Sequence, residues 1–224
     1  MNGGRIDFHA HVLPGADHGS DSVETSLFQL AQAARAGVST IVATPHFYPH
    51  KYRNVEEFLK RRQESLAALQ GAYRGDISIL PAAEVLLCEG IEHLPELEKL
   101  CISNTRTILI EMPMTSWSQR HIDTLFAIRQ ECGLRVVLAH VDRYPYDQIG
   151  KLLRKGLLGQ INAENICRLT VRRRYLELAG EPCIVALGSD IHQKDPAYEK
   201  FSKAIALLGQ TAQPLMQRSA QMLC

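Results

Sequence analysis

Three histidines and two aspartates fall within residues 7–19, which read DFHAHVLPGADHG. His9 and His11 stand two positions apart, and side chains two apart in a β-strand point to the same face of the sheet. Their imidazoles are therefore expected to face one point, as the ligands of a metal ion do. A polar loop that binds nothing is the simpler alternative for such a pair taken alone.

Further histidines and carboxylates follow apolar segments elsewhere in the chain, each at the point where a strand would end. They are His46 in ATPH, Glu84 in PAAE, Glu111 in LIE, His140 in VLAH, and Asp190 and His192 in GSDIH. Burying so many polar groups without partners would cost several kcal/mol for each of them. Shared cations remove that cost, so we interpret this set, with His9, His11 and His18, as metal ligands.

Seven apolar, strand-like segments alternate with helical patterns along the chain. The segments are RIDFHA, STIVAT, ISILPAAEV, RTILIEM, LRVVLAH, LGQIN and CIVALGSD. Repeated strand–helix units predict a parallel sheet covered by helices. The lack of a GxGxxG motif after the first strand favours a barrel over an open doubly wound sheet. We therefore predict an α/β fold, a distorted (βα)7 barrel.

Helix signals flank these strands. Asp21 and Glu24 are interpreted as a capping box, and Gly37 as the end of the first helix. The other predicted helices are Val55 to Leu69, a short one at His93 to Lys99, one opened by Ser116 or Ser118, and a closing helix in AQPLMQRSAQMLC.

In a parallel barrel the carboxyl ends of all strands meet on one rim, so residues as far apart as His9 and Asp190 become neighbours. Nitrogen and oxygen donors without a nearby thiolate suit Mn, Fe or Zn, and a carboxylate between imidazoles can bridge two ions. We expect two or three ions, in a layout suited to the cleavage of phosphate esters.

Composition limits the other classes of function. The chain has 224 residues and a formal net charge of +1, which predicts one domain, 1–224, with neither a general nucleic-acid surface nor a basic membrane-binding face. We expect no secretory signal and no membrane insertion, because no long apolar run occurs. Six cysteines are scattered singly, so we expect reduced thiols in a cytoplasmic protein.

Four short motifs occur in a fixed order: HAH, ATPH, AHVDRY and SDIH. Together with the glutamates that end the third and fourth strands, they resemble the PHP superfamily, the polymerase and histidinol phosphatase domains. Longer stretches, DFHAHVLPGADHGSDSVETSL, TPHFYPHKYRN, LIEMP and VVLAHVDRYP, are similar to the bacterial manganese-dependent protein-tyrosine phosphatases of capsule and exopolysaccharide synthesis. The similarity runs from about Ile6 to His192.

This resemblance implies a TIM-like PHP barrel with a trinuclear site at the carboxyl ends of the strands. The metal implied is Mn2+, with Fe or Zn as alternatives. One ion would be held by His9, His11, Glu84 and Asp190. A second would be held by Glu84, Glu111 and His140, with Glu84 bridging, and the third by His18, His46 and His192.

The resemblance also concerns phosphate binding. Arg143, in HVDRY, is similar to the arginine that grips phosphate in this family. The chain departs from the tyrosine phosphatases in two ways. His18 stands where they usually carry aspartate, and where they commonly carry an arginine a few residues after the SDxH motif, this chain offers only Lys194 before Pro196. Lysine lacks the planar fork of arginine, so phosphate binding or substrate preference is expected to differ.

The implied activity is hydrolysis of a phosphomonoester by a metal-activated water. The implied substrate is phosphotyrosine on a protein tail, carried by a bacterial tyrosine kinase. Asp17 and Asp142 are the candidates for a proton donor, and Tyr48 and Tyr52 for stacking on an aromatic substrate. Two alternatives stay open: a phosphatase for a small metabolite such as histidinol phosphate, and a non-catalytic module that binds metal or a partner protein. The oligomeric state is also open.

Overall fold

The computed structural model describes residues 4–224. Within them nine β-strands alternate with eight α-helices. The strands are β1 (Arg5–Ala10), β2 (Val38–Ala43), β3 (His46–Phe47), β4 (Ser78–Pro81), β5 (Glu84–Leu86), β6 (Thr107–Glu111), β7 (Arg135–Leu138), β8 (Leu158–Asn162) and β9 (Ile184–Gly188). The helices are α1 (Val23–Arg35), α2 (Val55–Ala72), α3 (Gln119–Gln130), α4 (Tyr146–Arg154), α5 (Ala163–Cys167), α6 (Arg172–Gly180), α7 (Ala197–Leu208) and α8 (Ala212–Met222).

The strand pairs are parallel, as predicted, but they form two sheets, in the orders β1-β2-β4 and β3-β5-β6-β7-β8-β9. The predicted second strand, STIVAT, ends one residue early, at Ala43, and Thr44 and Pro45 separate it from an additional strand, β3; the predicted third strand is interrupted at Ala82 and Ala83. Proline has no N–H to donate to a ladder, which explains the first interruption. The seven strands expected from the sequence are therefore divided into nine, and the closed barrel is not formed as one continuous ladder.

Backbone hydrogen bonds continue across the interruptions. The amide of Thr44 donates to the carbonyl of Ala10 at 2.9 Å, and the amide of Ala82 donates to the carbonyl of Ala43 at 2.9 Å. Each of these bonds joins residues just beyond the regular ladders of the smaller sheet. The chain thus passes from β2 to β3, and from β4 to β5, without losing contact with its neighbours.

Two more backbone bonds join the chain segments that follow β1 and β9. The amide of Asp190 donates to the carbonyl of His9 at 2.8 Å, and the amide of His11 donates to the carbonyl of Ile191 at 3.2 Å. The first and last strands of the chain therefore meet at their carboxyl ends.

The first helix begins one residue later than the capping box suggested. Ser22 is the cap, because its hydroxyl accepts a hydrogen bond from the amide of Thr25 at 3.2 Å, while Asp21 accepts from the hydroxyl of Thr25. Gly37 follows the helix as predicted, with a φ of 72° that glycine adopts without strain. Ser118, the second of the two serines considered, caps α3.

The short helix expected at residues 93–99 is instead two separate 3-10 turns, Ile91–His93 and Leu97–Leu100. Glu96 lies between them with a φ of 66°, outside the right-handed helical region, so a helix cannot run through it. The predicted second helix extends beyond Leu69 to Ala72.

Apolar side chains of the strands and helices form one continuous buried cluster. Every residue of β9 is buried, as in parallel sheets that helices cover on both faces. The predicted closing helix, α8, covers the amino ends of the strands: Arg218 donates to the carbonyl of Ile184 at 2.7 Å, and Thr107 donates to that of Met222 at 2.8 Å. None of the helices within residues 4–224 has the length and hydrophobicity needed to cross a membrane.

Candidate metal centre

The structure brings most of the predicted ligands together, although His46 and Glu84, which were expected to follow or end strands, are the first residues of β3 and β5. His9, His46, Glu84 and Glu111 lie in β1, β3, β5 and β6, and His11, His140, Asp190 and His192 follow β1, β7 and β9. These eight form four overlapping groups whose donor atoms lie within 4.8 Å of one another: His9, Glu84 and His140; His46, Glu84 and Glu111; His9, His11 and Asp190; His11, His46 and His192.

Glu84 lies at the centre of this cluster, with 1% of its surface exposed. Its Oε1 lies 2.8 Å from Nε2 of His140, and its Oε2 lies 2.9 Å from Nδ1 of His46. The Nε2 atoms of His9 and His11 are 3.2 and 3.3 Å from Oε2. Burial alone would raise the pKa of Glu84, but the surrounding imidazoles hold this pKa well below its usual range. The carboxylate is therefore ionised.

Asp190 is the second buried carboxylate. Its Oδ1 lies 3.6 Å from Nε2 of His9 and 3.5 Å from Nε2 of His11. Its Oδ2 pairs with the guanidinium of Arg143 and accepts a hydrogen bond from Nδ2 of Asn162 at 2.9 Å. Burial opposes ionisation of Asp190, but His9, His11 and Arg143 together hold its pKa below the usual range.

One group contains only imidazoles. The rings of His11 and His192 lie 4.1 Å apart, centroid to centroid, and His18 lies 4.8 Å from both His46 and His192. Burial, followed by the nearness of His11, lowers the pKa of His192 to about 4, and burial also lowers that of His46. Both rings are therefore neutral near pH 7, the form in which imidazole binds metals. His18 is exposed and lies outside the four groups, but its ring stacks on those of His46 and His192.

Asp17 contacts this group without belonging to it. Its Oδ2 accepts hydrogen bonds from Nδ1 of His11 at 2.7 Å and from the amide of His46 at 2.9 Å, and its Oδ1 accepts from the amide of Gly19 at 2.8 Å. Burial would raise the pKa of Asp17, but His11 holds it below its usual range. An ionised acceptor of three hydrogen bonds orients His11, and the interpretation of Asp17 as a proton donor is not supported.

Asp142, the other residue considered as a proton donor, also uses its carboxylate for hydrogen bonds within the fold. It is buried, and its two oxygens accept hydrogen bonds from the amide of Asn162 at 2.9 Å and from the side chain of Asn165. These bonds tie the segment after β7 to β8 and α5.

Two candidate ligands have an unusual backbone. The φ angles of His140 and Asp190 are 31° and 53°, both in the left-handed region that residues other than glycine seldom adopt. Such conformations cost about 1–3 kcal/mol and cluster at functional sites, where the surrounding structure enforces them. Each residue stands two positions after the last residue of a strand, Leu138 of β7 or Gly188 of β9, where the chain turns and the side chains of His140 and Asp190 face Glu84 and His9.

Four buried polar atoms of the cluster have no hydrogen-bond partner within the part of the chain that the structure describes: His46 Nδ1, Glu84 Oε2, His140 Nδ1 and His192 Nε2. An unpaired buried polar atom costs about 1–3 kcal/mol. His46 Nδ1 and Glu84 Oε2 are 2.9 Å apart yet lack hydrogen-bond geometry. A buried nitrogen and a buried oxygen that face one another without bonding, as these two do, are suited to a divalent cation, so the residues around Glu84 fit a metal centre.

The two predicted phosphate-binding residues lie in different places. Arg143 is 44% exposed and pairs with Asp190 at the edge of the cluster. Lys194 is exposed, lies 6.0 Å from the centroid of the Phe28 ring on α1, and makes no ion pair among residues 4–224. The guanidinium therefore borders the candidate metal centre, whereas the ammonium points towards α1.

Aromatic rings lead from the cluster to the surface. Tyr48 stacks on His46 at 4.9 Å and on the exposed His50 at 5.9 Å. Burial, followed by the charge of Glu111, raises the pKa of Tyr48 to about 12, so its hydroxyl keeps its proton. Tyr52 points elsewhere and stacks on Phe47, in the core, at 5.5 Å.

Three buried polar residues of the site were not singled out from the sequence. Asp7 accepts hydrogen bonds from the amides of Ser189 at 2.8 Å and His9 at 3.3 Å. Gln160 and Asn162, on β8, bond to His9 and Asp190. The available signal was the spacing in LGQIN, where two amides two positions apart must share one face of the strand.

A family model described as capsular polysaccharide synthesis, CpsB/CapC, matches residues 5–219. The chain belongs to the CpsB/CapC family. The tyrosine-protein phosphatase YwqE of Bacillus subtilis is 30% identical to this CpsB/CapC chain over 196 residues, which cover 84% of the chain and 77% of YwqE. The tyrosine-protein phosphatase CpsB of Streptococcus pneumoniae is 28% identical over 206 residues, or 85% of the chain and 84% of CpsB.

A solved structure shares the fold of this CpsB/CapC chain. It comes from the crystal structures of YwqE from Bacillus subtilis and CpsB from Streptococcus pneumoniae, described as unique metal-dependent tyrosine phosphatases. The TM-score is 0.74 at 23% sequence identity, with 97% of this chain and 94% of the other covered. The predicted α/β fold of parallel strands is thereby confirmed.

Proposed function

We propose that this chain is a metal-dependent tyrosine-protein phosphatase of capsule or exopolysaccharide synthesis. The observation that carries the proposal is the convergence of histidines and carboxylates from distant strands on Glu84, with buried donor atoms left unpaired. The same activity is named for the curated relatives YwqE and CpsB.

The metal ligands we propose are those in the groups around Glu84, with His18 added to the imidazole group. His9, His11, Glu84 and Asp190 would hold one ion, Glu84, Glu111 and His140 a second, and His18, His46 and His192 a third. Mn2+ is the proposed metal for the positions with carboxylates, since oxygen ligands suit manganese. When bound, such cations supply an activated water and neutralise charge on the phosphate.

Arg143 is the proposed phosphate-binding side chain. The ion pair with Asp190 holds the guanidinium at the edge of the cluster, and the exposed part of the Arg143 side chain is open to a substrate. A planar guanidinium can donate two parallel hydrogen bonds to phosphate oxygens, which also stabilises charge in the transition state. Lys194, which lies beside α1, would act on a more distant part of a bound peptide.

The substrate we propose is phosphotyrosine on a protein tail, such as that of a bacterial tyrosine kinase. Phenolate, with a pKa of about 10, leaves with less protonation than an alkoxide does. This matters here because the carboxylates of Asp17 and Asp142, the two proton donors considered, already accept hydrogen bonds within the fold. Tyr48 is placed to pack against the aromatic ring of the substrate.

We also propose that residues 1–224 form one domain, a distorted (βα)7 barrel of the PHP type. The hydrogen bonds across the strand interruptions, and those between the segments after β1 and β9, favour reading the two sheets as one barrel. A cytoplasmic location is proposed from the six free cysteines, since thiols stay reduced there.

The test is phosphate release from a tyrosine phosphopeptide by protein that has been treated with a chelator and then supplied with Mn2+. We expect activity only after Mn2+ is added, and a loss of at least about hundredfold in His140→Ala, since a metal supplies several kcal/mol of transition-state stabilisation. His93→Ala, which changes an exposed histidine, is the matched control and should retain full activity.

Each alternative predicts a different result. Faster turnover of histidinol phosphate than of the phosphopeptide would favour a phosphatase for a small metabolite. Stoichiometric metal binding without turnover of either would indicate a non-catalytic module. Full activity in His140→Ala would overturn the proposed metal centre.

A further inference from the structure

β8 contributes two buried amides to the site although, among residues 4–224, the candidate ligands come from other segments. Gln160 is 0% exposed and Asn162 is 4% exposed. Two positions apart in one strand, they face the same side of the sheet. A buried amide is costly unless its oxygen and nitrogen are both hydrogen bonded, so the partners of these two side chains identify what they do.

The orientation of the Gln160 amide is fixed by backbone groups. The amide of His140 donates to Oε1 at 2.8 Å, and Nε2 donates to the carbonyl of Ile161 at 2.7 Å. A backbone N–H can only donate and a carbonyl oxygen can only accept. The oxygen and nitrogen of the side chain therefore cannot be exchanged.

This orientation determines which nitrogen of His9 carries hydrogen. Nδ1 of His9 lies 3.0 Å from Oε1 of Gln160, an atom that can only accept. Nδ1 must therefore donate, and in the neutral ring Nε2 then has the free lone pair. That nitrogen faces Oε2 of Glu84 at 3.2 Å and Oδ1 of Asp190 at 3.6 Å, inside the candidate metal centre.

The nitrogen of Gln160 continues the chain of bonds to a carboxylate. Nε2 also donates to Oδ1 of Asn162 at 2.8 Å, and Nδ2 of Asn162 donates to Oδ2 of Asp190 at 2.9 Å. With Oδ2 engaged in this way, Oδ1 of Asp190 is the oxygen turned towards His9 and His11.

We propose that Gln160 and Asn162 are positioning residues that select the Nδ1–H tautomer of His9 and aim one oxygen of Asp190 into the metal centre. Side chains of β8 thereby orient one ligand in β1 and one in the segment after β9. Through its bond from the amide of His140, Gln160 also supports the segment after β7. The proposal rests on the metal-dependent function above, and it concerns how this chain orients its ligands towards a cation.

The test uses three variants that separate two sets of hydrogen bonds, called the two arms. One arm joins Oε1 of Gln160 to His9 and to the amide of His140, and the other runs from Nε2 of Gln160 through Asn162 to Asp190. Gln160→Leu removes both arms. Gln160→Glu keeps an acceptor for His9 and for the amide of His140 but cannot donate to Asn162. Asn162→Ala removes the bond to Asp190 together with the bond accepted from Nε2 of Gln160, and leaves the bonds of Gln160 to His9 and His140 in place.

Two measurements are made on each variant. Long-range 1H–15N spectra of the protein loaded with diamagnetic Zn2+ show which ring nitrogen of His9 is protonated, and calorimetric titration with Zn2+ gives the affinity. Wild-type protein should show His9 protonated at Nδ1. Gln160→Leu should lose this single tautomer and bind Zn2+ about 10–100-fold more weakly, the usual effect of removing a residue that orients a ligand.

The arms should respond separately. Gln160→Glu should keep the Nδ1–H signal of His9, and Asn162→Ala should keep it while lowering the affinity for Zn2+. Thr107→Val is the control for loss of a buried hydrogen bond alone, because Thr107 bonds to the carbonyl of Met222 at the far end of the strands. It should lower the melting temperature and leave the affinity and the tautomer unchanged.

The proposal is overturned if Gln160→Leu retains both the tautomer and the wild-type affinity, or if Thr107→Val weakens Zn2+ binding equally. Should Gln160→Leu not fold, Gln160→Glu and Asn162→Ala decide the question by the same readouts, and loss of the His9 signal in Asn162→Ala would contradict the assignment. If the protein binds Zn2+ with the expected tautomer but hydrolyses no phosphotyrosine, the proposed function is contradicted while the positioning role of Gln160 and Asn162 is retained.

Discussion

Asp17 accepts a hydrogen bond from His11, with 2.7 Å between Oδ2 and Nδ1. The bond leaves Nε2 of His11 to face Oε2 of Glu84 at 3.3 Å and Oδ1 of Asp190 at 3.5 Å. The carboxylate thus does for His11 what an amide oxygen on β8 does for His9. Ligand histidines of metal sites commonly bond to such a partner through the ring nitrogen that the metal does not use.

Replacing Asp17 should therefore weaken metal binding without removing a ligand. We expect Asp17→Ala to lower the affinity for Mn2+ about 10–100-fold, as measured by titration calorimetry. Asp21→Ala is the control, because Asp21 is an exposed carboxylate that accepts a hydrogen bond from the hydroxyl of Thr25 at the start of α1. Equal affinities in the two variants would show that Asp17 does not orient His11.

The affinity for metal should also depend on pH, and it should rise as the pH rises. Burial would lower the pKa values of His9 and His11, but Glu84, Asp190 and Asp17 outweigh it and raise both. In the metal-free protein both rings therefore keep a proton to higher pH than an ordinary histidine does, and a cation must displace that proton. Affinity for Mn2+ should therefore keep rising above about pH 6.5, the ordinary pKa of histidine.

Calorimetry in buffers with different ionisation enthalpies checks this directly. The apparent enthalpy should vary with the buffer, because protons are released on binding. His46 and His192, whose pKa values burial lowers, add little to this release since they are already neutral. An affinity that is the same at about pH 6 and pH 8 would contradict the prediction.

The ends of the strands were predictable because polar residues interrupt apolar runs there. His11 follows the last residue of β1 and Glu111 is the last residue of β6, and the rule that parallel strands share a direction was enough to predict that they lie in one cluster. The break at Pro45 also has a local signal, since proline removes a ladder hydrogen bond. The break at Ala82 and Ala83 has none, because alanine fits a strand and only the neighbouring strands decide where pairing stops.

The supporting residues were harder to predict. A polar residue within a strand usually faces solvent, and the sequence around Gln160 fits that pattern equally well. Whether its face is buried depends on β7 and β9, which lie on either side of β8 in the folded chain. Asp7 was overlooked for a similar reason, since its partner Ser189 is distant in sequence.

His18 should influence which metal the protein retains. The imidazole group around His11 and His192 has nitrogen donors only, and imidazole suits Zn whereas carboxylate suits Mn. Protein exposed to Mn2+ in large excess over Zn2+ should retain both, because a given site binds Mn2+ more weakly, and His18→Asp should raise the share of Mn2+. Mass-spectrometric metal analysis after desalting measures the ratio, with His93→Asp as the control, and an unchanged ratio in His18→Asp would argue against this role.

Arg143→Lys tests whether Arg143 binds phosphate through the two parallel hydrogen bonds of its guanidinium or only through its positive charge. Lysine keeps the positive charge beside Asp190 but cannot donate two parallel hydrogen bonds. A hydrogen bond to a charged group contributes about 1.5–3 kcal/mol, so kcat/KM for p-nitrophenyl phosphate should fall about 10–100-fold. Arg173→Lys, in an exposed pair with Glu177, should leave kcat/KM unchanged. Metal content must be measured in parallel: a fall in kcat/KM that follows loss of bound metal would mean that Arg143 acts by holding Asp190, whereas a fall at full metal content is the result expected of a group that binds phosphate.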